Sequence, residues 1–372
     1  MASEEQISQC MQIISEAISI EPEDLQDHET WQFLGLGDLL ATATVSDLQN
    51  QAGVDVPEDL FTKQPTVGQL KAFLRGEEDT SRPVTAIHSP TSTSTLDCGP
   101  EDPWEGVPKP KVPLSVVLQG KPESASTVIF LFPDGSGAGT SYGTLPTIGN
   151  DVCLIGLNSP FLRQAQSFTC SMERMARLWL DEVRGLQPQG QPYVLGGWSA
   201  GGYYSFEVAK LLTAAGEKVE RLILIDSPCR LVYAALPEQV VAELTRKGLM
   251  GASGERKAPE WLVQHFTSTV ISVEKYMPTP LPRDHVPAHV HFIWVKEGLV
   301  ESVADSGLNV DLNVKVTRFL LEPRGNLQSE GWERLLPGAE HTYDYMTGNH
   351  FQITQTPHVE SLGNLLRKVA KA

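Results

Sequence analysis

The chain has 372 residues, 41% of them apolar, and a formal net charge of −17 at pH 7. A chain of this length accommodates two or more domains, and its apolar share is ordinary for globular proteins. The negative charge argues against a nucleic-acid partner, because phosphate binding requires clusters of Lys and Arg.

The cysteines and the apolar runs restrict the class of protein further. The 5 cysteines are scattered without CxxC spacing, so we expect reduced thiols rather than a disulfide framework or a zinc site. The first residues lack the basic start and apolar core of a signal peptide, and no apolar run approaches the length of a membrane span. We therefore expect a cytoplasmic protein without a membrane partner, a metal or a cofactor.

Residues 1–76 predict a small helical domain. Apolar residues at helical spacing predict helices from Ile7 to Ile18 and from Leu39 to Gln51. In the closing segment, Thr66 and Gln69 have the spacing of a capping box. This domain contains 13 Asp and Glu against 3 Lys and Arg, a net charge of −10, and would present an acidic face to a basic partner.

Residues 77–112 are rich in Ser, Thr, Pro, Asp and Glu and contain almost nothing to bury. This composition predicts a flexible linker. Trp104, near the end of the linker, is expected to pack on the domain that follows.

From residue 113 onward, apolar strands alternate with amphipathic helices, which predicts a mostly parallel sheet with helices on both faces. The predicted strands are residues 114–120, 127–132, 152–158, 193–197, 221–226 and 291–295. The predicted helices are residues 172–186, 200–215 and 358–372. Between residues 231 and 287 helical segments replace the strands, and an insertion at this point predicts a lid.

The segment Gly197-Trp198-Ser199-Ala200-Gly201 is a GxSxG between a predicted strand and a predicted helix. Such a turn is so tight that side chains two positions before or after the serine would collide, which explains the glycines. The helix N-terminus then points at the serine hydroxyl. This arrangement predicts an α/β hydrolase with Ser199 as the nucleophile.

A serine nucleophile requires a histidine base and a carboxylate that orients it, which this fold supplies in the order Ser, Asp or Glu, His. Asp226 ends the strand that follows Ser199, so its carboxylate would emerge at the same edge of the sheet. His350 lies on the last loop before the closing helix and is the predicted base, with His341 as the nearest alternative. The remaining candidates belong to the lid or to a strand and are expected to be structural: His265, His289 and His291.

A glycine-rich loop follows the second strand, at residues 132–142. Such a loop can aim a backbone N–H at the point that the N–H of Ala200 also reaches, and two such donors form an oxyanion hole. Gly135 and Ser136 are both candidates for the second donor. The spacing of the glycines fits neither GxGxxG nor a P-loop, which argues against a nucleotide site.

On these motifs, residues 113–372 resemble the C-terminal thioesterase domain of fungal non-reducing polyketide synthases, a family that includes Claisen cyclases. The similarity covers FPDGSG, GGWSAGG, LIDSPC, the helical lid, Trp332 and the terminal GNHF. It implies a catalytic triad of Ser199, Asp226 and His350, which agrees with the interpretation of the residues themselves.

Residues 1–76 are similar to the acyl carrier protein that precedes such thioesterases, in TWQFLGLGDLL and LFTKQPTVGQLKAFL. Where the carrier family has Asp-Ser at the start of the second helix, this chain has Gly37-Asp38. A carboxylate cannot supply the hydroxyl that carries phosphopantetheine. The resemblance therefore implies a degenerate attachment site at Asp38 and a pseudo-carrier domain.

The resemblance further implies a free-standing protein that acts in trans. The expected partner is a polyketide synthase that lacks its own thioesterase, reached through that synthase's acyl carrier protein. The expected reaction is hydrolytic release of a polyketide acyl thioester, which would give an alkylresorcylic acid. Two alternatives remain open: release by Claisen-type cyclisation, and a docking module that assists the synthase without chemistry.

Overall fold

The computed structural model of the protein describes residues 3–18, 38–57, 59–76, 102–249 and 259–371. Five single residues are described as well: Pro22, Leu25, Asp27, Trp31 and Leu36. The chain divides into two compact units, Met1–Thr93 and Ser94–Ala372. Each unit has a buried apolar core of its own.

The first unit is helical where it is described. Its helices are α1 (Glu4–Ile18), α2 (Asp38–Gln51), α3 (Leu60–Lys63) and α4 (Val67–Arg75). The N-cap half of the predicted capping box is present, because the Thr66 hydroxyl accepts a hydrogen bond from the Gln69 backbone N–H at 3.2 Å. The Gln69 side chain bonds to that same hydroxyl at 3.1 Å. Gly76 ends α4 in a left-handed conformation that glycine adopts without strain. The buried residues of α4 are Val67, Leu70 and Leu74.

The described part of the second unit is built on a seven-stranded sheet in the order β1-β3-β2-β4-β5-β6-β7. The strands are β1 (Ser115–Gln119), β2 (Thr127–Phe132), β3 (Val152–Leu157), β4 (Tyr193–Trp198), β5 (Val219–Ile225), β6 (His289–Val295) and β7 (Glu340–Met346). β1 pairs antiparallel with β3, and the other pairs are parallel. β3 and β4 are buried along their whole length, as central strands covered on both faces should be.

Helices cover this sheet, which confirms the predicted α/β architecture. They are α5 (Met172–Leu186), α6 (Ala200–Ala214), α7 (Glu238–Arg246), α8 (Glu260–Lys275), α9 (Val303–Ser306), α10 (Lys315–Leu321) and α11 (His358–Lys371). α5 packs on α6 through Trp179 and Tyr204, whose rings meet edge to face with centroids 4.9 Å apart. Among the described residues, no helix has the length and apolar composition needed to cross a membrane.

The last 11 residues of the predicted linker differ from the prediction. Residues 102–112 lie along the second unit, and Trp104 packs against its core as expected. Arg174 donates from Nε to the carbonyl of Pro103 at 3.0 Å, and Gln164 donates to the carbonyl of Lys109 at 3.2 Å. Side chains of the second unit thus satisfy the backbone of this polar segment, which composition alone does not reveal. Residues 77–101 lie outside the described part.

The predicted lid, residues 231–287, contains α7 and α8, which irregular segments flank in the described part. Residues 250–258 of the lid lie outside the described part. The sequence does not predict α10 or β7. β7 has the sequence EHTYDYM and most of its residues are only partly buried, so it lacks the apolar run by which the other strands are recognised.

Candidate active site

Ser199 lies on the turn between β4 and α6. Its backbone has φ 57° and ψ −120°, a conformation that costs energy for any residue with a side chain. The Ser199 N–H donates to the carbonyl of Ile225 at 2.9 Å, and the Ser227 hydroxyl donates to the Ser199 carbonyl at 2.7 Å. The N–H and the carbonyl of Ser199 are therefore both held by residues at or just after the end of β5, which keeps the strained turn in place.

The two glycines of the GxSxG are required by close backbone contacts. A Cβ on Gly197 would lie 2.4 Å from the backbone of Gly201, and a Cβ on Gly201 would lie 2.5 Å from the Phe132 carbonyl oxygen. Both distances are shorter than a carbon atom tolerates, and the neighbouring atoms are backbone atoms that cannot move aside. The spacing predicted from the sequence thus has a direct steric cause.

The phenol of Tyr142 bridges the ends of β2 and β4 beside this turn. Its hydroxyl donates to the carbonyl of Phe132 at 2.8 Å and accepts from the N–H of Trp198 at 2.8 Å. The β2–β4 ladder ends at the pair Phe132 and Gly197. The buried phenol therefore supplies the next pair of hydrogen bonds, at the point where the ladder stops and the turn begins.

Asp226 directly follows β5, and its side chain is completely buried. Its carboxylate accepts from the backbone N–H of Val295 at 3.2 Å and is 2.7 Å from Nδ1 of His350. Burial alone would raise the pKa of Asp226, but the positive charge of Arg324 and the hydrogen bond with His350 outweigh it and lower that pKa. Asp226 is thus ionised at neutral pH.

His350 lies on the loop between β7 and α11 and is 4% exposed. Its Nε2 is 3.1 Å from Oγ of Ser199, within the range of a hydrogen bond. With Nδ1 donating to Asp226, the neutral ring presents Nε2 as an acceptor for the serine proton. The structure thus brings together Ser199, Asp226 and His350, the three residues that the sequence selects.

The other histidines considered in the sequence lie elsewhere. His341 lies on β7, where its ring packs edge to face on Phe292 with centroids 5.4 Å apart. His289 lies 3.1 Å from Glu340, and His291 forms a 2.7 Å hydrogen bond with Thr342. These contacts join β6 to β7 and are structural.

The glycine-rich loop after β2 presents its two candidate oxyanion donors differently. Gly135 lines the cavity above Ser199 together with Ala200. Ser136 is turned toward Asp134. The Ser136 hydroxyl donates to the Asp134 carboxylate at 2.6 Å, and the Ser136 backbone amide also lies near that carboxylate. The geometry therefore favours the N–H of Gly135 over that of Ser136 as the partner of the Ala200 N–H.

Asp134 is a buried carboxyl that the sequence does not single out. Burial raises its pKa, against the opposing effect of the hydrogen bonds from Ser136 and the positive charge that His350 can carry. Because it bonds to Ser136, it fixes the shape of the loop one residue beyond Gly135.

Helix α8, in the predicted lid, forms hydrogen bonds with the glycine-rich loop after β2. The carbonyl of Gly135 is 2.8 Å from Nδ1 of His265 and accepts from the Thr269 hydroxyl at 3.1 Å. A Cβ on Gly135 would lie 2.6 Å from the ring of Phe266, and a Cβ on Gly137 would lie 2.4 Å from the ring of His265. Burial lowers the pKa of His265 to about 4, so a neutral ring donates this bond.

A cavity of about 570 Å³, partly open to solvent, lies over Ser199 and His350. The walls are mostly apolar and come from the segment after β5, from α8 and from α10; the wall residues of the last two are Phe266, Val270, Val273, Val316, Phe319 and Leu320. Part of the chamber therefore lies outside the predicted lid.

The hydroxyls that line the chamber beside the triad are already bonded to the protein. Tyr203 donates to the carbonyl of Pro228, and the Thr269 hydroxyl lies within hydrogen-bond distance of the carbonyls of Gly135 and His265. A ligand here would be recognised by its shape and apolar surface rather than by side-chain hydrogen bonds.

Arg324 is the functional residue that the sequence misses most clearly. It follows α10, which the sequence does not predict, and its guanidinium forms two 3.0 Å hydrogen bonds with the Asp226 carboxylate. A lone arginine in a polar loop gives no signal, because only the fold brings it to a carboxylate 98 positions away.

Two further predictions concern binding groups. In the part of the chain that the structure describes, no group of three or more His, Cys, Asp or Glu side chains has the arrangement of a metal site. Asp38 is the first residue of α2, the position at which the carrier pattern places its serine. The side chain of Asp38 lies outside the described part.

Comparison with known proteins agrees with both units. The thioesterase domain family matches residues 127–370, and the phosphopantetheine attachment site family matches residues 10–74. The non-reducing polyketide synthase terA of Aspergillus terreus is 34% identical over 389 residues, covering 100% of this chain and 18% of that protein. Non-reducing polyketide synthase 1 of Elsinoe fawcettii is 32% identical, covering 95% of this chain and 16% of that protein.

The chain thus spans about a fifth of the length of these curated relatives. A solved structure of the NocB thioesterase domain, in covalent complex with a fluorophosphonate nocardicin G analogue, is similar with a TM-score of 0.52. At 21% identity, over 69% of this chain and 100% of that chain, this likeness supports the fold.

Proposed function

The chain belongs to the thioesterase domain family, and from that premise we propose that it releases a polyketide acyl group from a carrier-protein thioester by hydrolysis. The observation that carries the proposal is the hydrogen-bonded series Ser199–His350–Asp226 at the base of an apolar chamber. The relatives named above are non-reducing polyketide synthases, which suggests a polyketide rather than a fatty acyl substrate. An alkylresorcylic acid is the product that we propose.

The reaction takes two steps. Oγ of Ser199 attacks the thioester carbonyl while Nε2 of His350 takes its proton, and Asp226 stabilises the imidazolium that forms. The N–H groups of Ala200 and Gly135 receive the oxyanion. When the intermediate collapses, the C–S bond breaks, and the proton on Nε2 passes to the leaving thiolate.

Water then repeats the attack on the acyl-enzyme. His350 takes a proton from the water as its oxygen bonds to the carbonyl carbon, and returns that proton to Oγ as the ester bond breaks. The products are a free carboxylic acid and the regenerated serine. In the alternative reaction, a carbon of the acyl chain replaces the water and gives a Claisen-type cyclic product.

Product analysis tests this proposal. A polyketide synthase without its own thioesterase is incubated with and without this protein, and the products are identified by mass spectrometry. We expect a carboxylic acid that appears with the wild-type protein and not with Ser199→Ala. A product lighter by one water would support cyclisation instead. The same product with the wild type and with Ser199→Ala, but not without the protein, would leave only the docking role.

We also propose that the first unit is a pseudo-carrier. A carrier serine supplies the hydroxyl that bonds to phosphopantetheine, and Asp38 begins α2 where that serine is expected. Incubation with coenzyme A and a broad-specificity phosphopantetheinyl transferase should therefore leave the mass of the intact protein unchanged. Addition of one phosphopantetheine would contradict the assignment, and an Asp38→Ser variant provides the positive control.

The acidity of the first unit supports a role in docking to a partner synthase in trans. A net charge of −10 over residues 1–76 would meet a basic patch on the synthase and raise the local concentration of the thioesterase near the loaded carrier. Removing residues 1–80 should slow release from the intact synthase but not hydrolysis of a small thioester. Equal release by the two proteins at low enzyme concentration would remove the docking role.

A further inference from the structure

Arg324 binds the triad carboxylate with both arms of its guanidinium. Nη1 donates to Oδ1 of Asp226 and Nη2 donates to Oδ2, each at 3.0 Å. Oδ2 is also the oxygen that lies 2.7 Å from Nδ1 of His350. A single carboxylate oxygen therefore serves a permanent cation and the catalytic base at the same time.

Arg324 is itself held in place on several sides. Its side chain is 6% exposed, and its backbone N–H donates to the carbonyl of Lys296 at 2.7 Å. The guanidinium carbon lies 3.9 Å from the centre of the Phe319 ring, which is also a wall of the chamber. Arg324 thus has a fixed direction of approach to Asp226, in a place from which water is largely excluded.

One N–H of this buried cation is left without a partner. Nε of Arg324 has no hydrogen bond within the described part of the chain. Burying a charged group costs free energy, and leaving one of its donors unsatisfied adds to that cost. Stability alone is therefore a poor explanation for an arginine at this position.

The charges around His350 indicate what Arg324 does. Asp226 and Arg324 neutralise each other, so a proton on His350 gives two cations against one anion. Asp134 is the other titratable group whose charge acts on His350, and burial disfavours the ionised form of that carboxyl. Three uncharged aromatic rings also lie against the His350 ring, those of Trp198, Phe319 and Phe351.

We propose that Arg324 is a positioning residue of the triad, which fixes the orientation of Asp226 and offsets the negative charge of that carboxylate beside His350. This inference rests on the proposed function, because it takes Ser199, His350 and Asp226 as the catalytic residues. Without Arg324, the Asp226 carboxylate would be unopposed and free to turn, so both the rate and its dependence on pH should change.

Cleavage of a thioester places different demands on the two proton transfers of the histidine. A thiol has a pKa of about 8.5 and leaves far more readily than an amine, so the leaving group needs little help from a strong proton donor. The same histidine must still accept a proton from Ser199 in every cycle. An arginine that fixes Asp226, and through it the ring of His350, therefore acts on the step in which Nε2 takes the serine proton.

The test separates the charge of Arg324 from its geometry. The full-length wild type, Arg324→Met and Arg324→Lys are assayed from pH 5 to 9 with p-nitrophenyl hexanoate, and Ser199 modification by a fluorophosphonate is followed by intact mass. For Arg324→Met, we expect the acid limb of kcat/KM to move up by about one pH unit, and kcat to fall about tenfold. For Arg324→Lys, we expect a similar loss in kcat with the acid limb unmoved. Lysine keeps the positive charge but cannot donate two parallel hydrogen bonds to the carboxylate.

Arg318→Met is the matched control, since Arg318 is an exposed arginine on α10 and should match the wild type in both readouts. A folded Arg324→Met with an unmoved acid limb would overturn the inference. If Arg324→Met does not fold, the inference is decided by Arg324→Lys. A kcat equal to that of the wild type would overturn the inference, and a reduced kcat with an unmoved acid limb of kcat/KM would support it. Activity that survives Ser199→Ala would instead overturn the proposed function, whatever the arginine variants do.

Discussion

The two units of this chain differ in what they bury besides apolar side chains. In the described part of the first unit, the buried polar side chains are two hydroxyl groups, those of Ser15 and Thr44. The second unit buries carboxylates and histidines, among them Asp134, Asp226, His265 and His350. Buried titratable groups cost stability and mark functional sites. The comparison indicates that the described interior of the first unit serves packing, and that the second unit carries the chemistry.

The largest effect should come from the nucleophile. Ser199→Ala removes one oxygen, and because triad residues act as a unit we expect kcat to fall by roughly 10⁴-fold or more. Hydrolysis of a hexanoyl thioester of N-acetylcysteamine is the measurement, with thermal unfolding to check the fold. Ser126→Ala, at an exposed serine, is the control. Substantial activity left in Ser199→Ala would assign chemistry to another part of the chain.

The hydrogen bonds between α8 and the glycine-rich loop after β2 predict a smaller loss of kcat. Thr269→Val removes one of the two bonds to the Gly135 carbonyl, so kcat should fall about tenfold, less than the loss of a whole oxyanion donor. Thr267→Val is a matched control, because Thr267 lies on the same helix and its hydroxyl bonds to Val263 within that helix. Equal kcat values for the two variants would mean that the loop keeps its shape without the helix.

The apolar chamber over Ser199 predicts that a larger side chain on its wall changes the selectivity for acyl chain length several-fold. Val270 on α8 lines the chamber, so Val270→Phe should lower kcat/KM for dodecanoyl thioesters more than for butanoyl thioesters, by about fivefold. The neighbouring Ile271 is 38% exposed, and Ile271→Phe should leave the ratio unchanged. A ratio that does not change in Val270→Phe would place the acyl chain elsewhere.

The buried histidines of the second unit predict lower stability in acid. Burial lowers the pKa of His265 and of His291 to about 4, below the unfolded value of about 6.5. Between these values the unfolded chain binds more protons, so stability falls as the pH falls, by about 2 kcal/mol per histidine at pH 5. His291→Gln should therefore lose a few degrees less in Tm between pH 8 and pH 5 than the wild type. His285→Gln, at a partly exposed histidine, should follow the wild type, and identical losses in all three proteins would refute the assignment.

The smallest effect on catalysis should follow a change in the first unit. Leu70 is fully buried in α4, and Leu70→Ala should destabilise that unit by about 2–5 kcal/mol. Hydrolysis of a small thioester should stay within about twofold of wild type, because that reaction uses the second unit alone. A large drop in kcat would show that the division of roles between the units is wrong.

Local signals in the sequence predict much of the second unit. Apolar runs give β2, β3, β4 and β6 to within two residues, and the GxSxG places Ser199 on the turn that the structure has. Asp226 and His350 follow from their places at strand and loop ends. These predictions succeed because each depends on a pattern within a short segment and on the fixed order of elements in the fold.

The features that the sequence misses depend on contacts between distant segments. β7 is only partly buried and shows no apolar run. Residues 102–112 have the composition of a linker, and their backbone is satisfied by side chains from α5 and from the loop before it. The bonds from Arg324 to Asp226 and from His265 to Gly135 join residues about 100 positions or more apart. No local pattern records such pairs.

The phenol between β2 and β4 has a consequence for alkaline conditions. Tyr142 must donate to Phe132 and accept from Trp198 at the same moment, which a neutral phenol can do and a phenolate cannot. Burial raises the pKa of Tyr142 well above its ordinary value, so the ring keeps its proton in mildly basic solution. The Tyr142 bridge between the ends of β2 and β4 should therefore persist in mildly basic solution. Loss of activity at high pH should begin with other groups.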